Sequence, residues 1–97
     1  MIKLFKGRAT EDIFNGISSR VARKACPVNL WKVAARKLDQ LDSVMLLDEL
    51  KVPPGNQLEL LRGDRTGQHS IRINKQYRIC FVWQADGPID VEITDYH

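Results

Sequence analysis

The fold is decided by residues 68–83, which read Gln68-His69-Ser70-Ile71-Arg72-Ile73-Asn74-Lys75-Gln76-Tyr77-Arg78-Ile79-Cys80-Phe81-Val82-Trp83. Apolar and polar residues alternate on both sides of residues 74–76, and that period is the period of a β-strand. Residues 74–76 form a connection short enough for an antiparallel hairpin. Residues 77–84 are apolar on both faces, so we expect them to form a central strand.

Two further alternating segments flank this hairpin. Residues 57–62 precede it and residues 89–94 follow it. The connecting residues 63–67 and 85–88 are rich in glycine, aspartate and proline, which favour turns. The C-terminal half therefore predicts four successive strands, and the last of them should lie beside the central one.

The N-terminal half has the hydrophobic period of helices. A short alternating segment over residues 2–6 predicts a first strand, and Thr10 is the predicted N-cap of the helix that follows. Gly16 weakens the middle of this helix, which we expect to break or bend there. A second helix is predicted from Pro27 to about Ser43, and the proline-rich run after it ends the helical half.

These elements predict an α+β fold of two layers. An N-terminal helical hairpin should pack on one face of a mainly antiparallel sheet, because an amphipathic helix must bury its apolar stripe. No helix is left to cover the other face, which should form a cleft that carries Arg72 and Arg78. At 97 residues and 43% hydrophobic, the chain fits a single domain over residues 1–97.

Composition limits the classes of function. No apolar run approaches the roughly 20 residues that span a bilayer, and no signal peptide is recognisable, so we expect a cytoplasmic protein without a membrane partner. Cys26 and Cys80 fit neither a disulfide framework nor a zinc pattern, so we expect reduced thiols and neither metal nor cofactor. The formal charge of +3 suits a polyanionic partner, but RNA, DNA and acidic proteins all remain open.

Arg78 is the most informative polar residue of the predicted sheet. A charge in a central strand is costly unless it is paired or opens onto a cleft. Two interpretations are open: an ion pair across the sheet with Glu92 or Asp90, and an anion-binding site. Arg62 and Arg65 border a glycine-flanked loop and offer further guanidinium groups for phosphate oxygens, although loop arginines are commonly only solvated.

The last three residues of the sequence combine an acid, a phenol and an imidazole, as Asp95-Tyr96-His97. All three side chains handle protons, so they are candidates for acid–base chemistry. A frayed tail is an equally open interpretation of this triplet. We interpret His69, on an apolar strand face, as a structural histidine.

Several segments together resemble the motifs of the HigB toxins in the RelE/ParE superfamily. They are Leu60-Leu61-Arg62-Gly63-Asp64-Arg65-Thr66-Gly67, Ser70-Ile71-Arg72-Ile73-Asn74, Gln76-Tyr77-Arg78-Ile79-Cys80-Phe81 and Asp95-Tyr96-His97. Residues 2–6 and the helical hairpin also match, so the resemblance spans essentially the whole chain. The chain departs from it at Arg62, where lysine is frequent, at Glu59, where histidine is frequent, and at Gln68-His69, which replaces an aromatic pair.

This resemblance implies the toxin of a type II toxin–antitoxin system. Such a toxin is a metal-independent, ribosome-dependent endoribonuclease that cleaves messenger RNA in the ribosomal A site and inhibits protein synthesis. The implied partner is a HigA-like helix-turn-helix antitoxin, and operator DNA would be bound only indirectly, through the antitoxin complex. By motif position the catalytic set is Arg62, Arg78, Asp95, Tyr96 and His97. Further RNA contacts are predicted at Arg65, Arg72 and Lys75.

RNA carries its own nucleophile, the 2′-hydroxyl, so a metal-free nuclease must move protons and stabilise charge on phosphorus. We expect Arg78 to hold the scissile phosphate with Arg62 as a second cation, His97 and Asp95 to share the proton transfers, and Tyr96 to orient the nucleotide. Two alternatives stay open. One is a ParE-like toxin that inhibits DNA gyrase, and the other is an inactive module that binds an antitoxin or nucleic acid.

Overall fold

The computed structural model describes residues 1–95, and its N-terminal half is helical. The α-helices are α1 (Arg8–Phe14), α2 (Arg20–Ala25) and α3 (Trp31–Ser43). Short 3-10 turns lie at Val28–Leu30, Leu47–Lys51 and Pro54–Asn56, and the Val52–Pro53 peptide is cis. None of the helices in this part of the chain has the length and apolar character needed to cross a membrane.

The expected break in the first helix is confirmed, whereas the expected cap is wrong. Gly16 has a φ of 74° between α1 and α2, and the Ser19 hydroxyl caps α2 by accepting from the Ala22 N–H at 3.1 Å. Thr10 is buried inside α1, which begins two residues earlier, and its Oγ1 accepts the Ile93 N–H of the sheet at 2.9 Å. The hydroxyl thus satisfies a buried donor of the other layer instead of an N–H of its own helix.

The C-terminal half forms one antiparallel sheet in the order β1-β2-β3-β4. Its strands are β1 (Glu59–Leu60), β2 (His69–Arg72), β3 (Tyr77–Val82) and β4 (Ile89–Asp95). The central position of β3 and the adjacency of β4 are therefore confirmed.

Two predicted strands are shorter than expected. The strand expected over 57–62 is only two residues long, because Gln57 takes a left-handed conformation with φ 46° and Leu61, not Leu60, is the buried leucine. Residues 2–6 run parallel to β4 but form a single bridge, between Phe5 and Val91. Backbone hydrogen bonds of 2.9–3.2 Å tie this segment to the sheet.

The core lies between the helices and one face of the sheet. From α3, Ala34, Leu38 and Leu41 are fully buried, and they share one cluster with apolar residues of β2, β3 and β4. The sheet side of this cluster is Ile71, Ile79, Phe81, Val91 and Ile93. Because side chains alternate along a strand, the residues between these point to the opposite face, which we call the open face.

Candidate functional site

Two arginines lie side by side on the open face. Arg72 of β2 is the register partner of Arg78 of β3, and Thr94 of β4 is the partner of Arg78 on its other side. Like charges directly opposite each other destabilise a sheet, with Cβ atoms about 5 Å apart. The pair therefore favours an anion as its neighbour, which is how phosphate sites use paired cations.

Arg78 is held rigidly at the base of this face. Arg78 is buried, with 8% of its surface exposed. Its Nε donates to Ser70 Oγ at 2.7 Å, and its Nη2 donates to the Gln57 carbonyl at 2.6 Å. The nearest carboxylate oxygen is Glu59 Oε2, 3.8 Å from Nη2. Within residues 1–95, Nη1 has no partner, so one edge of the guanidinium is left for a ligand.

Of the two interpretations of Arg78, the ion pair with Glu92 or Asp90 is wrong. Glu92 accepts instead from Arg65, at 2.9 Å from Nη1, and Asp90 is exposed. The register of β1 explains which carboxylate lies beside Arg78. Glu59 pairs with Ser70, so its side chain lies on the open face next to Arg78.

Arg72 leaves more of its guanidinium available than Arg78 does. Its Nε donates to the Asn74 carbonyl at 3.0 Å, and its two Nη atoms have no partner within the described part of the chain. The side chain is half-buried, so its position is restricted while its donors remain accessible. Arg72 is thus the cation that the structure places nearest to Arg78 in register.

Arg65 is engaged in a polar cluster over the middle of the open face. Besides Glu92 it contacts Gln68 Oε1 at 3.1 Å, and Lys6 Nζ lies 3.9 Å from the same Glu92 carboxylate. The Cys80 thiol is buried nearby, and burial raises its pKa. A thiol with a raised pKa is a poor nucleophile, which agrees with the expectation of an inert cysteine.

Arg62 and Lys75 are exposed and lie at opposite ends of β2. Leu61 donates its N–H to the Gln68 carbonyl, four residues before Arg72 on the same strand segment. At about 3.3 Å per residue, Arg62 is therefore more than about 13 Å from the row of Arg78 along the strands. The register sets Arg72 and Arg78 directly opposite each other, whereas the backbone of Arg62 lies further along the sheet.

Asp95 lies on the other side of the sheet from the arginine pair. Its register partner is Tyr77, whereas Arg78 pairs with Thr94, so alternation directs the Asp95 side chain toward the helical layer. Both of its carboxylate oxygens accept from Gln76 Nε2 at 3.1 Å. Tyr96 and His97 lie outside the described residues.

Two residues of this site were missed by the sequence reasoning as functional groups. Ser70 is fully buried and holds Arg78, and Glu59, with its side chain 58% exposed, is the carboxylate next to it. The alternation of residues 68–73 does place Ser70 on the face of Arg72. The pairing of Glu59 with Ser70 depends on a register that no local pattern reveals.

His69 belongs to the core face, as its strand position predicts. Its ring stacks on Phe81 with centroids 6.2 Å apart, and its buried Nδ1 has no hydrogen-bond partner within residues 1–95. Burial lowers the pKa of His69. Its position favours a neutral, structural imidazole on the side of the sheet away from the arginines.

A cavity of about 200 Å³ lies apart from the arginine pair. Its lining residues are Met1, Val44, Met45, Trp83, Ala85, Asp86 and Gly87. It holds none of the predicted site residues, and charge and geometry both favour the open face for an anionic ligand. In residues 1–95, no three His, Cys, Asp or Glu side chains are grouped so as to hold a metal ion.

Comparisons with known proteins agree with this architecture. A family model described as the RelE-like toxin of the type II toxin-antitoxin system HigB matches residues 12–97. Toxin HigB-1 of Vibrio cholerae serotype O1 is 44% identical over 61 residues, which are 63% of this chain and 63% of that protein. An uncharacterized protein of Haemophilus influenzae is 45% identical over 58 residues, 60% of this chain and 57% of that one.

These alignments span less than two thirds of the length of either relative. Among solved structures, a chain of the YoeB-YefM complex from Staphylococcus aureus matches with a TM-score of 0.56 and 20% identity. That match covers 100% of this chain and 95% of the other, so the two chains share a fold.

Proposed function

The chain belongs to the family of RelE-like HigB toxins of type II toxin–antitoxin systems, and from this premise we propose that it is an endoribonuclease that cleaves messenger RNA on the ribosome. The observation that best supports the proposal is the arginine pair on the open face. Arg78 is fixed by Ser70 and Gln57, and its register partner Arg72 carries the same charge. Such a preorganised pair suits a phosphodiester that gains negative charge during reaction.

The reaction is attack of a ribose 2′-hydroxyl on the adjacent phosphorus, with loss of the 5′-oxygen of the next nucleotide. Arg78 Nη1 and the Nη atoms of Arg72 would bind the non-bridging phosphate oxygens. Their hydrogen bonds strengthen as charge develops, so they lower the barrier more than they strengthen ground-state binding. Arg72 is assigned the role of second cation at the scissile phosphate, because it is the register partner of Arg78.

Proton transfer needs one base and one acid. Glu59 is exposed, ionisable and next to Arg78, so we assign it removal of the 2′-hydroxyl proton. Arginine retains its proton up to a pKa above about 12 and is a poor acid, so His97 is assigned protonation of the leaving oxygen, on its motif position. Asp95, on the helical side of the sheet, is assigned an indirect role through its contact with Gln76.

The other basic side chains would bind RNA outside the scissile phosphate. Arg62 and Lys75 are exposed at the two ends of β2, where they can contact neighbouring phosphates of an extended strand. Arg65, which contacts Glu92 through Nη1, is assigned a contact with a phosphate beside that ion pair. Tyr96 is assigned the orientation of the nucleotide, again on its motif position.

The proposed partners follow from the family. They are a HigA-like helix-turn-helix antitoxin that neutralises the toxin, and the ribosomal A site that presents the message. Contact with operator DNA would be indirect, through the antitoxin complex, and the compartment would be the cytoplasm. The fold relative from Staphylococcus aureus is part of a YoeB-YefM complex, which supports a dedicated partner for this chain.

The direct test is a reconstituted translation system with a defined message, with and without ribosomes. We expect cuts within the translated region only when ribosomes are present, leaving 2′,3′-cyclic phosphate or 3′-phosphate ends. The same preparation is assayed for inhibition of gyrase supercoiling. Intact message together with gyrase inhibition would refute the nuclease and favour a ParE-like toxin, whereas inactivity in both assays would favour a binding module.

A further inference from the structure

A buried polar cluster joins α3 to the turn that precedes β1. Asn56 is fully buried, and its Nδ2 donates to the Leu50 carbonyl at 3.1 Å and to Gln40 Oε1 at 3.0 Å. Its Oδ1 accepts from the Lys37 ammonium. Gln40 in turn donates to the Val52 carbonyl at 2.7 Å. The side chain of Asn56 therefore fixes a stretch without regular secondary structure against a helix of the core.

The contacts of this cluster lead directly to Arg78. Gln57, the next residue, has φ 46° and ψ 56°, a left-handed conformation that a residue with a side chain adopts at a cost. This conformation directs its carbonyl oxygen to Arg78 Nη2 at 2.6 Å. The continuous path from α3 runs through Asn56 and the Gln57 carbonyl to the guanidinium of the proposed catalytic arginine.

Lys37 is half-buried where its ammonium contacts Asn56. Desolvation lowers the pKa of Lys37, with a further contribution from the neighbouring Arg36. In residues 1–95, no carboxylate forms an ion pair with the Lys37 ammonium, whose hydrogen-bond acceptor is the neutral amide of Asn56. An apolar residue at position 37 would avoid this desolvation. A left-handed residue other than glycine is strained, and such strain is typical of a segment that holds a functional group in place.

We propose that Asn56 is a positioning residue for Arg78. Through the Gln57 carbonyl it holds the Arg78 guanidinium so that Nη1 faces the substrate phosphate, and Lys37 holds Asn56. This inference rests on the proposed RNA cleavage. Loss of the Asn56 side chain should lower kcat with little change in KM, because a misplaced donor loses a contact that is strongest in the transition state.

A double-mutant cycle tests this path. Asn56→Ala should lower the single-turnover rate on programmed ribosomes by about 10- to 100-fold, the scale expected when a catalytic group is displaced by about 1 Å. In the Arg78→Ala background the same substitution should change the remaining rate by less than about twofold, because two residues that act through one contact are not additive. Equal losses in both backgrounds would overturn the proposal.

Asp42→Ala is the matched control. Asp42 lies on the same helix, and its Oδ1 also ties α3 to a distant segment, by accepting the Ile2 N–H at 2.8 Å. It has no contact that leads to Arg78. Asp42→Ala should therefore lower the melting temperature without the loss of kcat seen in Asn56→Ala. A comparable loss of kcat in both variants would show a general effect of destabilisation and would contradict positioning.

A second readout does not depend on activity. The Arg78 Nε–H resonance, identified by its absence in Arg78→Ala, should exchange with water at least about tenfold faster in Asn56→Ala, and less so in Asp42→Ala. If Asn56→Ala does not fold, Lys37→Met replaces it in this test, because it keeps the contacts of the Asn56 amide nitrogen. Lys37→Met should shift the same Arg78 resonance. If the wild-type protein cleaves no RNA but this resonance responds, the proposed function fails and the positioning of Arg78 stands. An unchanged resonance in both variants overturns the inference.

Discussion

Replacement of Arg78 is the perturbation for which the structure gives the most specific expectation. Arg78→Ala removes a cation whose Nε and Nη2 are committed to Ser70 and Gln57 and whose Nη1 is left for the substrate. Loss of one preorganised donor at a site of developing charge costs about 3–4 kcal/mol in the transition state. We therefore expect a rate lowered by about 10²- to 10³-fold.

Arg78→Lys separates charge from geometry. Lysine keeps the charge but offers a single nitrogen, which cannot reach Ser70, Gln57 and a phosphate from one position. We expect this variant to lose most of the activity that Arg78→Ala loses, and to differ from it by less than about tenfold. A lysine variant with nearly full activity would show that Arg78 acts as a simple positive charge.

The assay is single-turnover cleavage of message bound to ribosomes, with the melting temperature measured beside it. Removal of Arg78 relieves its repulsion with Arg72, worth roughly 0.2–1 kcal/mol, but it also leaves the Ser70 hydroxyl and the Gln57 carbonyl without their donor, at about 1–3 kcal/mol each. The rate is therefore measured well below the melting temperature of the variant, so that unfolding does not account for the lost rate. Arg36→Ala, an exposed arginine on α3, is the control and should leave the rate within about twofold. A rate for Arg78→Ala close to that of Arg36→Ala would refute the placement of the active site on the open face.

Three further predictions concern stability. Gly87→Ala places a Cβ 2.1 Å from an N-terminal carbonyl oxygen and should cost about 1–3 kcal/mol in thermal unfolding, whereas Gly55→Ala meets nothing within 4 Å and should be near neutral. Thr10→Val leaves the buried Ile93 N–H without its acceptor and should lower the unfolding free energy by about 1–3 kcal/mol; no loss in denaturant titration would contradict this. Because the pKa of His69 is lowered below 6.5 in the folded state, the unfolded state binds the proton more tightly, and stability should fall as the pH drops below about 6.5; a His69→Gln variant should lack this part of the pH dependence.

Most of the fold could be predicted from the sequence, because its strands and helices follow local hydrophobic patterns. The alternation of residues 68–83 gave the β2–β3 hairpin, and the stripe of Ala34, Leu38 and Leu41 gave the buried face of α3. The prediction of Thr10 as an N-cap was wrong because its hydroxyl accepts the backbone N–H of Ile93, which lies in β4, 83 residues further along the chain. A capping preference is local, and here a tertiary contact overrides it.

Only part of the candidate site could be predicted from the sequence, because some of its contacts are tertiary and no local pattern determines them. Alternation placed Arg72 and Arg78 on one uncovered face, and the register of β2 and β3 then set them directly opposite each other. Alternation also placed Ser70 on this face, but two other partners of Arg78, Glu59 and the Gln57 carbonyl, come from a segment that follows a turn and has no periodic pattern. Such contacts depend on the register and on backbone geometry, neither of which residue types alone determine.

In the proposed reaction, the arginine pair of the open face promotes attack by the RNA's own 2′-hydroxyl. It is tested most directly with a message that carries one 2′-deoxynucleotide at the mapped cleavage position, translated beside the all-ribose message. We expect cleavage at that position to fall below detection while the remaining sites are cut as before. Cleavage of the deoxy-substituted position at a comparable rate would contradict it.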